Sequence, residues 1–197
     1  MTAASHPILI IQGHPDPGGG RLCHALAAAY ARGAEAAGHR VEVIDVAMLD
    51  LPLLRSQTDF EDGLPPAAII DAQAALDRAG HIVVIFPLWL GTMPALLKGF
   101  FEQVLRPGFA FAYRPDGSTE PLLNDRSARL IVTMGMPAWI FRWIYLGHGV
   151  QVLRRSILAL CGIGPIRTTL FGSVKTAPPA RRQHWLAMVE ALGRRGL

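Results

Sequence analysis

Three unbroken apolar runs divide the chain: Ile8-Leu9-Ile10-Ile11, Ile82-Val83-Val84-Ile85-Phe86 and Leu130-Ile131-Val132-Thr133. A run that does not alternate reads as a strand buried on both faces. Val41-Glu42-Val43-Ile44 alternates, and 166–171 mixes polar with apolar positions, as edge strands do. Between the strands the period lengthens to that of helices. Residues 22–37 put Leu22, Leu26, Ala29, Tyr30 and Gly33 on one face and stop at Gly38. Residues 67–79 read as helical. A helix opening at Pro94 carries Leu96, Leu97, Phe100, Phe101, Val104 and Leu105 on a broad apolar face. Another is expected around 151–160, and the last sets Trp185, Met188, Val189 and Leu192 at i, i+3, i+4, i+7. Segments 48–66 and 107–125 read as loops, and the first is long enough to suggest a functional or interface role.

Strict alternation of strand and helix requires a parallel sheet with helices on both faces. The three apolar strands take the centre and 41–45 and 166–171 the edges. The pattern predicts an α/β, doubly wound five-stranded parallel sheet in the order 2-1-3-4-5, one domain over residues 1–197 without repeat or linker. In such a sheet ligands bind beyond the carboxyl ends of the strands, where the strand order reverses. The loops of interest are therefore 13–21, 87–93 and 134–149.

Composition narrows the class. Hydrophobic residues make up 51% and charged ones 17%, so the chain has enough apolar surface to fold around a core. The formal charge of +4 comes from arginines dispersed along the chain, without a basic run interleaved with aromatics. Nucleic acid is not indicated, whereas an anionic small ligand suits such a surplus. Cys23 and Cys161 have neither disulfide-framework nor metal-ligand spacing, so no metal is expected. The amino-terminal stretch has only four consecutive apolar residues and no basic region, unlike a signal peptide. The apolar stretch 134–146 contains Pro137 and Arg142 and is too short to span a bilayer. A cytoplasmic protein without membrane insertion is expected.

The first loop, Gly13-His14-Pro15-Asp16-Pro17-Gly18-Gly19-Gly20-Arg21, opens a helix with three consecutive glycines. Backbone N–H groups and the helix end can there face an anion, with His14 and Arg21 as further donors. It matches neither the dinucleotide fingerprint nor a Walker A loop, and a flexible turn would use the same residues. The second loop, Pro87-Leu88-Trp89-Leu90-Gly91-Thr92-Met93-Pro94, puts a Trp at a strand end, where a planar ring could stack or a hydrophobic cap could form. The third holds Trp139, Phe141, Trp143, Tyr145 and His148.

At these loops the sequence resembles the NAD(P)H:quinone oxidoreductase (DT-diaphorase-like) family of the flavodoxin-like superfamily. Residues 86–113, FPLWLGTMPALLKGFFEQVLRPGFAFAY, carry most of the likeness, with ILIIQGHP and LCHALA adding to it. The resemblance implies a bound flavin, FAD in preference to FMN, reduced by NAD(P)H and reoxidised by a quinone in the same pocket. It places His14, Gly20, Arg21, Leu22 and Cys23 around the phosphate. Pro87, Leu88, Trp89 and Leu90 would line the ring, and Thr133, Met134 and Gly135 its far side. Tyr145 and His148 would assist hydride transfer, although the family's Tyr and His lie farther apart. A homodimer is implied, with Phe111 and Tyr113 closing over the acceptor of the other subunit. Arg21 stands where the family usually has Ser or Thr, and Leu90-Gly91 replaces a bulkier pair.

Backbone N–H groups of residues 88–90, with His148, are expected to stabilise charge on the reduced ring. Competing readings are an electron-carrier flavodoxin, to which the basic charge is opposed, and an ancillary subunit of a potassium-efflux transporter. Azo- or nitro-compound reduction would use the same machinery with another acceptor.

Overall fold

The computed structural model describes residues 7–197, so residues 1–6 of the stretch read for a signal peptide lie outside the described residues. Seven strands follow one another: β1 (Ile8–Gln12), β2 (Val41–Asp45), β3 (His81–Pro87), β4 (Phe111–Tyr113), β5 (Thr119–Pro121), β6 (Ser127–Thr133) and β7 (Ile166–Phe171). Five form a parallel sheet in the order β2-β1-β3-β6-β7. This is the expected 2-1-3-4-5 order with a hairpin counted between its third and fourth strands. Gln12 pairs with both Asp45 and Ile85, and Thr133 with both Pro87 and Phe171, so the carboxyl ends form one edge.

The unbroken apolar runs have a simple cause. Leu9, Ile11, Ile82, Val84, Phe86, Leu130 and Val132 enter one core. Their neighbours Ile8, Ile10, Val83, Ile85 and Ile131 enter the other. Both faces are covered, so both sets of alternating positions favour apolar residues. Of the helices α1 (Leu22–Ala36), α2 (Gln57–Glu61), α3 (Ala67–Arg78), α4 (Ala95–Val104), α5 (Ala138–Trp143), α6 (His148–Gln151) and α7 (Pro179–Arg194), α1 and α7 cover the second core. The first core is covered by α3, α4 and the helical turns after α6. α1 and α7 pack backbone to backbone. A Cβ on Gly33 would lie 2.0 Å from the Glu190 carbonyl oxygen, and one on Gly193 2.2 Å from that of Tyr30.

Four local expectations change. Segment 107–125 contains the β4–β5 hairpin, turning at Gly117 (φ +81°) with the Asp116 carboxylate accepting the Ser118 N–H. Segment 48–66 contains α2, whose Ser56 hydroxyl accepts the Asp59 N–H at 3.0 Å as a cap. The helix expected at 151–160 begins at His148 and passes through a π-helical stretch, 152–158, into a final 3₁₀ turn. On α7, Trp185, Val189 and Leu192 are buried but Met188 is exposed.

Segment 48–66 is fastened by two side chains, chiefly Arg106. Buried Arg106 donates to the carbonyls of Asp59 and Gly63 at 2.7 Å each and to that of Gln103 at 3.1 Å. The Gln103 amide in turn donates to the Pro52 carbonyl at 2.6 Å. Among the described residues no helix is long and apolar enough to cross a membrane, and no cluster of three metal-ligating side chains occurs.

Candidate active site

The first loop is built from a relay of short-range bonds beginning at the end of β1. The Gln12 side-chain oxygen accepts the His14 N–H at 2.7 Å, and His14 Nδ1 accepts the Asp16 N–H at 3.1 Å. Asp16 accepts the Gly18 N–H at 2.9 Å and Arg21 Nε at 2.7 Å. Gly19 (φ +68°) and Gly20 (φ +70°) then turn the backbone through left-handed conformations that favour glycine. This delivers the start of α1 with an extended Arg21, no side-chain cap and no acidic residue in the first turn. The N–H groups of Leu22, Cys23 and His24 have no intrahelical acceptor there, which is the chemistry of an anion site.

Arg21 is not a free donor. Its guanidinium lies 2.6 Å from the Asp16 carboxylate on the protein surface. The Gly18 N–H and Arg21 hold that carboxyl below its usual range.

The second loop meets the first. Trp89 and Thr92 exchange backbone bonds of 2.8 and 3.0 Å around Leu90 (φ +47°) and Gly91 (φ +83°), a tight hairpin turn. It sets Trp89 half exposed and Leu90 fully exposed. The His14 ring centroid lies 6.0 Å from that of Trp89 at 78°, and 5.5 Å from that of His24. The turn alters one expectation. The Leu88 N–H donates to the Thr133 carbonyl at 2.7 Å and the Trp89 N–H to that of Thr92. Residues 88 and 89 have committed their donors to holding the loop, which leaves the N–H groups of Leu90 and Gly91 for a ligand.

The third loop closes on the second from the far side of the sheet edge. Met134 is buried and bonded to Phe171, and Gly135 stands open, with nothing within 4 Å of a Cβ built on it. A Cβ on Gly149 would lie 2.0 Å from the Gly91 carbonyl oxygen, so α6 abuts the Leu90–Gly91 turn and carries exposed His148 beside it. Tyr145 is also exposed, its carbonyl accepting the His148 N–H at 3.2 Å. Thr133 Oγ1 and Cys23 Sγ are 3.3 Å apart, joining β6 to α1 beneath the loops.

Burial pushes the Cys23 thiol up to about 11 and that of Cys161 up to about 12. Both are therefore expected to resist iodoacetamide in the folded protein at about pH 8, where an ordinary thiol reacts. Mass spectrometry after quenching measures this, and rapid native-state labelling of either would contradict their burial.

Phe111 and Tyr113 do not join these loops within one chain. They stack edge to face at 5.4 Å on the β4–β5 hairpin, Phe111 buried and Tyr113 exposed. The hairpin follows the carboxyl end of α4 and leads into the start of β6, the opposite end of α4 from the Trp89 turn.

Three residues escaped the sequence reading. A groove of 480 Å³ beside the glycine loop is walled by Arg21, Leu22, His24, Arg182 and Leu186. His24 Nδ1 and Nε2 are both shielded and have no hydrogen-bond partner. The Arg182–Leu186 spacing of one helical turn was readable, but nothing in the pattern showed that α7 lies against α1.

An open glycine cradle, uncapped helix N–H groups, an orphaned imidazole and an exposed Trp turn fit a flat cofactor bearing phosphate. Their position at the β1–β3 switch point, where proteins of this kind bind ligands, places the chain in the doubly wound α/β class. A sequence model described as flavodoxin-like fold matches residues 6–193, and the chain belongs to that family. It has relatives among the NAD(P)H:quinone oxidoreductases. It is 28% identical over 137 residues to NAD(P)H dehydrogenase [quinone] 1 of Rattus norvegicus, covering 66% of this chain but 48% of the rat protein. The chain thus spans about half the length of that relative. Identity to an FMN-dependent NADH:quinone oxidoreductase of Nitratidesulfovibrio vulgaris is 30% over 172 residues, 74% of this chain and 78% of that protein. The crystal structure of Smu.1420 from Streptococcus mutans superposes with a TM-score of 0.82 at 27% identity, covering 95% of this chain and 98% of the other.

Proposed function

We propose that residues 1–197 form a single flavin-binding domain, an oxidoreductase that takes two electrons from NAD(P)H and passes them to a quinone or similar acceptor by ping-pong use of one pocket. The observation that carries this is the convergence of the glycine loop and the Trp89 turn, with His14 and Trp89 rings 6.0 Å apart, at the sheet edge. The names of the rat and N. vulgaris relatives support it. When bound, the flavin supplies hydride transfer in both half-reactions.

The chain's own residues bind, orient and polarise. The first-turn N–H groups of α1 and the neighbouring imidazoles receive phosphate. Trp89 and Leu88 offer an apolar surface to the ring, and Gly135 leaves room opposite. The N–H groups of Leu90 and Gly91 and the His148 side chain are the donors for a ring gaining electrons. The His148→Ala variant is expected to slow anaerobic flavin reduction by NADPH roughly 10- to 100-fold, the scale of one lost hydrogen bond to a charged group. An unchanged rate would remove His148 from the mechanism.

FAD is the cofactor this reading favours. The groove walled by His24, Arg182 and Leu186 adjoins the phosphate loop and has room for an adenosine half. FMN, named for the N. vulgaris relative, is the alternative and would leave that groove without a role. The reading further holds the protein to be a cytoplasmic homodimer in which Phe111 and Tyr113 of one subunit close over the acceptor of the other. That arrangement suits a hairpin remote from its own chain's loops.

Burial and then His24 hold the His14 imidazole below its ordinary pKa. A phosphate beside it favours the charged ring and raises that value. Between the two values binding takes up a proton, so affinity falls as pH rises through that window. Titration calorimetry near neutral pH, in buffers of different ionisation enthalpy, reads this uptake directly; a heat independent of buffer would exclude it. The function itself is tested by the visible spectrum of freshly purified protein, the mass of the released chromophore, and its bleaching by NADPH. Colourless protein that binds neither FMN nor FAD would end this reading.

A further inference from the structure

A second groove lies away from the flavin loops. It is a groove of 790 Å³ between α5, α6 and the outer edge of β7, bordered by Trp139, Arg142, Trp143, Gln151, Arg154 and Thr168. Helix geometry separates it from the Trp89 turn. Successive residues of a helix step about 100° around its axis, so Gln151, two positions on, faces away from the side on which Gly149 meets Gly91, and neither Leu90 nor Gly91 borders the groove. The groove and the turn thus meet different sides of one helix.

The chemistry of the groove is specific in three respects. Trp139 and Trp143 are 61% and 70% exposed, a costly display of aromatic surface that a planar ring would cover. Arg142, stacked over the Trp143 ring at 5.4 Å, and Arg154 both face it, and neither has an ion-pair partner among the described residues. The Gln151 side-chain oxygen has no donor, so rotation of its amide would offer an acceptor to an incoming N–H. Gln151 leads directly into the π-helical turn, a departure from regular helix common at functional positions.

A flat ring with an N–H donor and one or more phosphates satisfies all three features. We infer that this groove holds the adenylate end of NAD(P)H, with purine between the tryptophans and phosphate on Arg142 and Arg154. At most the thickness of α6, roughly 10 Å with side chains, separates it from the Leu90–Gly91 turn, a span that a pyrophosphate-linked dinucleotide can cross. The inference rests on the NAD(P)H reading above and adds to it a recognition site on another side of α6.

Steady-state kinetics with two donors tests it, NADPH and reduced nicotinamide mononucleotide, which has no adenylate. For Arg154→Gln and Arg142→Gln the KM for NADPH is expected to rise roughly tenfold each, the scale of one lost charge-assisted contact, with kcat kept. The KM for the mononucleotide should stay within twofold. Calorimetry with 5′-AMP, which cannot reduce a flavin, should give one saturable site in the wild type that either variant weakens and that adenosine fills less tightly. Equal changes for both donors, or no change for either, would overturn the inference. So would a wild type that does not bind 5′-AMP, the result expected if a second copy of the chain fills the groove. Should NADPH fail to reduce the protein while 5′-AMP binding depends on both arginines, the activity reading falls and the adenylate site stands.

Discussion

Gly149→Ala is expected to weaken flavin binding by roughly 30- to 100-fold while leaving the sheet and its two cores folded. The added methyl would meet the Gly91 carbonyl oxygen at 2.0 Å and the Thr92 Cα at 2.7 Å, both backbone atoms that no rotamer change can move aside. One partner must shift by an ångström or more. The exposed Leu90–Gly91 turn is held by only two backbone bonds, whereas Val150 and Leu153 anchor the helix in the core. The turn therefore yields, displacing Trp89 and the two free N–H groups from the ring site. Overpacking of this kind costs about 2–3 kcal/mol, which sets the expected loss of affinity. Fluorescence titration with FMN and FAD measures the effect, and circular dichroism verifies that the fold persists. Affinity within threefold of wild type would show that the contact between α6 and the turn does not shape the site.

Arg106→Met should lower stability by about 3 kcal/mol, a fall in Tm of roughly 6–12 °C for a chain of this size. Methionine keeps much of the side-chain volume but none of the donors. The carbonyls of Asp59, Gly63 and Gln103 lose partners together, and segment 48–66 is left with the Gln103–Pro52 bond to α4. Burial alone pulls the guanidinium pKa down, but a ring of carbonyl acceptors around it keeps the charged form in place. Limited trypsin digestion adds a local reading, because Arg55 lies exposed within the tethered segment. Cleavage there should become the earliest event in the variant. A Tm within two degrees of wild type and an unchanged digestion pattern would show that the tether is dispensable.

The apolar runs of β1, β3 and β6 were legible because burial on both faces favours apolar residues at successive positions, with Gln12, His81, Arg129 and Thr133 as the buried polar exceptions. The order of the sheet followed from them and from the weaker patterns of β2 and β7. The β4–β5 hairpin was not legible: three-residue strands offer too few positions for alternation to appear. Nor did the pattern of 48–66 announce a fastened segment, since its chief fastening residue sits forty positions on, at the end of α4. At the site, the glycine loop and Trp89 could be named from residue type and position at strand ends. The commitment of the Trp89 donor could not, because it depends on φ values at Leu90 and Gly91 that no local rule requires of leucine, and that of Leu88 depends on a partner on β6, Thr133. His24, Arg182 and Leu186 were hidden for a different reason. Their partnership depends on two helices separated by most of the chain.

The glycine-to-backbone contact between α1 and α7 bears on the order in which the protein can mature during synthesis. The glycine loop and α1 are made well before the surface that supports them, around Gly193 and Val189, which leaves the ribosome more than a hundred residues later. Until that last helix docks, one entire side of the sheet has only half its cover, and the loop's helix has nothing firm behind it. Pairings this distant along the chain form slowly because loop closure must come first. On the proposed reading, capture of the cofactor thus waits until residues 179–194 have docked.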